Sequence, residues 1–277
     1  MCVALLLKAA CASNTPLQAE GLATTGKQYT STLKKVNSFA LEHTLEFTAD
    51  LLPNLPRDDA TLLLQTQAMQ QRAALLQTTS NYLDTQALYF AELSALAKGD
   101  TSTGTARALK KLVEALNKSP DLGGIPRVTK EAVAGLAGHV AAFKHSAQVR
   151  DELLRSAEPV AQALLLNQRI LEEQIRWITQ REALARQVEY REKVLKPFVG
   201  DKKLGETWKK AWIKNIRQVP TIELLEQAKA ASIDMQQAWV NVLRGEGTFD
   251  HLQGVFDQLN SNIQAAKTND PDTHDTH

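Results

Sequence analysis

Leu62, Met69, Leu76, Leu83, Phe90 and Ala97 stand seven residues apart, and four places after each of the first five comes a small side chain: Thr66, Ala73, Ser80, Ala87 and Ser94. A seven-residue apolar period is the pattern of a coiled-coil-like seam. Alternation of large and small side chains along one face lets a neighbouring backbone come close, which predicts antiparallel packing against another long helix. The pattern lies in a run of about 40 residues that Asp58 or Asp59 can cap and Gly99 can stop. A first helix from about Leu17 to Leu52 precedes it and ends at Pro53 and Pro56. The short connection makes these two helices natural partners.

Beyond a loop from Gly99 to Gly104, a short helix reaches about Lys118, and a Pro-Gly break runs from Pro120 to Pro126. A second long stretch covers Val128 to Leu195. Pro159 is expected to kink or divide it, with Ser156 available as a cap. After that proline Val160, Leu164, Leu171, Ile175, Ile178, Ala185, Val188 and Leu195 keep a three-four spacing, with Asn167 on the same stripe. A polar residue there either fixes register or faces solvent. Pro197 and Gly200 are expected to end the element. Three shorter helices follow, at about 202–218, 221–243 and 249–266.

Composition agrees with helices throughout. The 277 residues include 39 Leu, 37 Ala and 21 Gln but only 13 Gly and 9 Pro, too few turn residues for a sandwich, barrel or β-repeat. The expected fold is all-α: an elongated antiparallel bundle with long coiled-coil-like helices and a smaller C-terminal helical cap. Its expected parts are a leader at 1–12, a long-helix bundle at 13–198, helices packed on it at 199–267 and a disordered tail at 268–277.

Charge and chemistry narrow the function. With 32 basic and 31 acidic side chains the net charge is +1, so no global field draws nucleic acid. The most apolar internal run, Val133 to Phe143, is 11 residues, about half of what spans a bilayer. The loop from Gly99 to Thr105 has the glycines of a phosphate-binding loop but Thr105 where lysine is required. Gly245-Glu246-Gly247 lacks a dinucleotide fingerprint's third glycine, since Asp250 stands there. Metalloprotease, nucleophile-elbow and Glu-x-x-His motifs do not occur. His43 shares a helical face with Val36, Ala40, Phe47 and Leu51 and reads as a core or boundary histidine. His139 and His145 point apart, His251 has no evident partner, and His274 and His277 lie in the tail. Glu172 and Glu173 sit among Arg169 and Arg176 at ion-pair spacing. No catalytic residue, cofactor or metal is expected.

One segment stands out, from Lys202 to Arg217. As a helix it places Trp208, Trp212, Ile216 and Val219 on one face and Lys203, Lys210, Lys214 and Arg217 largely on the other. That pattern suits docking on an anionic surface, with tryptophans at the interface and basic groups toward phosphate. The ordinary reading of an amphipathic helix in an all-helical protein is that its tryptophans fill the groove between the bundle and Trp239 or Phe256.

Residues 1–13, MCVALLLKAACAS, form an apolar run followed by small residues. Ala9-Ala10-Cys11 resembles the end of a bacterial lipoprotein signal, in which the cysteine becomes the lipidated N-terminus, although Lys8 stands where that family carries an apolar residue. The resemblance covers these thirteen residues alone and implies an address and a lipid on Cys11, not an activity. Cleavage after Ala12, as in soluble secretion, and a cytosolic terminus are the other readings. Cys2 and Cys11 are the only cysteines, so no disulfide forms within the body. The expectation is a non-catalytic, exported bacterial envelope protein, periplasmic or outer-membrane-anchored. It would bind or scaffold a protein partner in the envelope, with contact to the membrane surface and a role such as immunity or inhibition. The alternatives are a helical pore-forming or membrane-remodelling protein and, for location, the cytoplasm.

Overall fold

A computed structural model describes residues 15–100, 102–118, 129–137, 147–200, 203–216, 220–246 and 249–268. They form an all-α bundle, with no strand among the described residues. Its elements are α1 (Thr15–Leu51), α2 (Asp59–Ala97), α3 (Thr103–Lys118), α4 (Lys130–Ala137) and α5 (Ala147–Glu189). The chain runs on without a break through a π-helical stretch, Tyr190–Leu195, into α6 (Lys196–Gly200). Then come α7 (Glu206–Ile216), α8 (Pro220–Leu243) and α9 (Asp250–Thr268). The residues 1–14, 119–128, 138–146 and 269–277, with the leader, the Pro-Gly break, four histidines and the tail assigned to them, lie outside this description.

At α2 the start and stop signals act where the sequence places them. Asp58 Oδ1 accepts the Thr61 amide hydrogen at 2.7 Å, and those hydrogen bonds hold its carboxyl below the usual value. Gly99, at φ +105°, ends α2 in the left-handed region that glycine enters without strain.

The α1/α2 pair is antiparallel, the register set by Lys34 on Asp84 and by the Thr48 hydroxyl donating to Met69 Sδ at 3.2 Å. Met69, Leu76, Leu83 and Phe90 of the heptad stripe are buried. α5 lies antiparallel to α2, where the Tyr82 hydroxyl donates to the Ala163 carbonyl and the Tyr89 hydroxyl to Ser156 Oγ at 2.9 and 2.6 Å. α8 runs along α5 and α1, with Trp239 fully buried, and α9 covers α1, tied to it by Gln28 on Asp257 and Lys35 on Asn260. α1 thus touches α2, α5, α8 and α9.

Buried amides cross this core. Asn167 Nδ2 donates to Gln86 Oε1 and Gln174 Nε2 to Asn37 Oδ1, each at 2.8 Å. Asn167 is therefore a core residue bonded across helices, not a solvated one.

Two prolines depart from expectation. Pro159 does not divide α5, and Ser156 is no cap: its hydroxyl donates back to the Glu152 carbonyl at 2.7 Å. Leu153, Val160, Ala161 and Leu164 are fully buried around it, and packing on this scale outweighs the roughly 3 kcal/mol a helical proline costs. Nor does Pro197 end the helix. The preceding turn widens to i→i+5 spacing, with the Lys196 amide bonded to the Arg191 carbonyl, which relieves the clash between a proline ring and the carbonyl four residues back. The unbroken helix is 54 residues long, about 80 Å.

Candidate functional site

Gln65 on α2 still meets Arg181 of α5, at 3.2 Å. Past that level α5 outruns the bundle, and α6 and α7 pack chiefly against the π-helical stretch. The result is a two-helix arm. At its base Arg186 Nη1 donates to the Asn215 carbonyl and Asn215 Nδ2 to the Arg186 carbonyl, at 3.3 and 3.2 Å. Nearer the tip Trp208 Nε1 donates to the Val194 carbonyl at 3.0 Å. Trp208 stacks between Phe198 and Trp212, with ring centroids 5.8 and 6.3 Å away, and Val194 beneath is buried.

These aromatics are far from the core tryptophan. Trp208 and Trp212 fill no groove toward Trp239 or Phe256, because α7 folds onto the end of α5 instead. Trp208 is half-buried and holds the hairpin together. Trp212 is 43% exposed, Phe198 60%, Ile216 62% and Val199 77%. A closed helical fold buries such side chains, and here four of them share one short arm.

The charge is equally local. Residues 186–216 carry nine Lys and Arg against four Asp and Glu, while the rest of the chain carries 23 against 27. Glu189 pairs with Lys193, Glu192 with Lys196 and Glu206 with Lys209. Arg191, Lys203 and Lys210 are exposed and have no acidic partner among the described residues. The structure therefore brings Lys203, Trp208, Lys210 and Trp212 onto the arm, and Lys214 lies on α7 with them. Arg217 and Cys11 lie outside the described residues. Sequence reasoning missed Phe198 and Val199, because Pro197 read as a stop; the excess of cations between 186 and 216 was the signal that could have pointed to them.

Two other polar places lie on the bundle itself. Below the arm, the Arg72 and Arg181 guanidinium carbons lie 4.7 and 5.3 Å from the Trp177 ring centroid. Burial pushes Arg72 down to about 10 against the opposing field of Glu173, and burial raises the Glu182 carboxyl, offset by Arg186. His43 stacks on Phe47 beside this cluster, as a boundary histidine does. The second place is a groove of about 470 Å³ along α1 between α2 and α9, bordered by Lys27, Lys34, Lys35 and Lys267. Its cations are largely spoken for: Lys34 by Asp84, Lys35 by Asn260 and Lys267 by Glu42. Among the described residues no three His, Cys, Asp or Glu cluster to hold a metal, and no helix is long and apolar enough to cross a membrane. No protein-family model, curated protein or solved structure matches the chain.

Proposed function

We propose that this chain is a non-catalytic binding or scaffolding protein of the bacterial cell envelope and that the arm is the element by which it engages its target. The observation that carries the reading is the joint exposure of Phe198, Val199, Trp212 and Ile216 on a hairpin braced by Trp208. Holding large apolar groups in water costs about 25 cal/mol per Å², which binding recovers. Support for the envelope address comes from the leader-like residues 1–12 and from the absence of cysteine after Cys11. Cys11 would carry the lipid, four residues before α1 begins. Since α1 and α5 both run antiparallel to α2, the start of α1 at Thr15 lies at the opposite end from the arm, with about 70 Å of helix between them.

The test has two parts. A photoreactive residue at Trp212 should form adducts in cells, and one at the exposed Gln258 of α9 should not. The membrane fraction should yield an acylated mass that begins at Cys11. No adduct from position 212 would remove the arm as the engaging element, and a soluble mass retaining the residues before Cys11 would remove the envelope address.

A further inference from the structure

We infer that the arm docks on an anionic lipid bilayer. The inference rests on the arm being the engaging element and names what it engages. Charge sign makes the first selection. The arm has nine cations to four anions, so a second copy of the arm would bring like charge against like, whereas phosphate headgroups supply the opposite sign. The remainder of the chain, with 23 cations to 27 anions, offers the same surface no net attraction.

Cation placement makes the second selection. The described acids of the arm are engaged by Lys193, Lys196 and Lys209, while Arg191, Lys203 and Lys210 extend into water. Long aliphatic stems with charged ends reach phosphate from the flank of an apolar ridge. The apolar part is such a ridge. Phe198, Trp208 and Trp212 stack in a row, Ile216 follows one turn beyond Trp212, and Val199 adjoins Phe198. Lys209 lies three residues before Trp212, on the same side of α7. A ridge of aromatic and branched side chains edged by ammonium groups matches the headgroup boundary, where tryptophan rings settle and lysines point outward. Docking is thus to one leaflet: the apolar side chains enter by a few ångströms and α6 and α7 lie on the surface.

The full chain is to be sedimented with large vesicles of phosphatidylcholine alone and with roughly 30 per cent phosphatidylglycerol. Two variants accompany it: Lys203→Gln with Lys209→Gln and Lys210→Gln, and Trp212→Ser with Ile216→Ser. All five positions are exposed, and thermal melting checks that each variant keeps the fold. The parent chain should bind the anionic vesicles and leave the neutral ones in solution. The lysine variant should lose about fivefold per charge, on the order of a hundredfold in all. The Trp212 and Ile216 variant should fail to bind at any salt concentration. Full binding by the lysine variant, or no binding of the parent chain to anionic vesicles, overturns the inference. If vesicles stay inert while the Trp212 crosslinker captures a protein in cells, the lipid inference falls and the arm remains the engaging element. If neither happens, both fall.

Discussion

Gly26 of α1 faces the ring of Phe90 of α2 so closely that a β-carbon there would stand 2.5 Å from Cγ and Cδ1. Alanine within a helix is normally more stable than glycine by about 0.5–1 kcal/mol. Here the sign reverses. Phe90 is fully buried and its ring cannot withdraw, so Gly26→Ala should destabilise by about 1–3 kcal/mol. Gly254 on α9 has open space where its β-carbon would be, and Gly254→Ala should stabilise by about 0.5–1 kcal/mol. Chemical denaturation of both variants measures the contrast.

The Asn167–Gln86 amide pair should behave as a coupled unit. Asn167→Ala strands a buried carbonyl oxygen of Gln86 and should cost about 1–3 kcal/mol, whereas replacing both residues with leucine should cost less than the two single changes together. A double-mutant cycle reads the coupling; strict additivity would show that the pair makes no net contribution.

Glu152 gives the bundle a pH dependence. Burial raises its carboxyl above the usual 4.5, opposed by the Arg155 guanidinium 3.4 Å away. A raised folded value means the fold holds this proton more tightly than the unfolded chain does. The resulting stabilisation is full below about 4.5 and is lost as pH rises through the folded value. Glu152→Gln should therefore raise stability at neutral pH by about 1 kcal/mol and leave it nearly unchanged in acid, as melting temperatures across pH would show.

Two tryptophans should separate the arm from the core. Trp239→Ala empties a fully buried site and should cost about 3–5 kcal/mol of global stability. Trp208→Ala removes a stacked ring and the bond to Val194, yet the main melting transition should move by less than about 1 kcal/mol, because the arm packs chiefly on itself. Hydrogen exchange should show the loss confined to residues 190–216.

The buried stripe from Met69 to Phe90 was legible because a seven-residue period reports a shared face directly. Its first member was not. The pairs Lys34–Asp84 and Thr48–Met69 bring the end of α1 at Leu51 level with about residue 66, so Leu62 lies past its partner helix and is exposed with Leu63 and Leu64. A period says which face is apolar but not where the neighbour stops. The small positions on α2 were likewise only half informative. The close approach at Phe90 depends on Gly26 across the interface, and Ala87 borders an open groove, so a leucine there finds room. For the candidate site, the opposition of Trp212 to Lys210 was readable from helical spacing. The arm itself was hidden, because the π-helical turn that carries the chain through Pro197 leaves no mark in hydrophobic period.

The many neighbours of α1 also govern the order in which the bundle can close. Its Tyr29 hydroxyl bonds Ser232, Gln28 bonds Asp257, and Glu42 meets Lys267, all more than 200 positions away along the chain. At about 5–20 residues per second, synthesis of that interval takes roughly 10–40 s, during which Leu22, Tyr29 and Val36 await their full cover. The α1/α2 hairpin can form early from nearby contacts, but the fold is completed only by its last helix. A nascent chain of this kind keeps the first helix only partly covered until its last helix has been made.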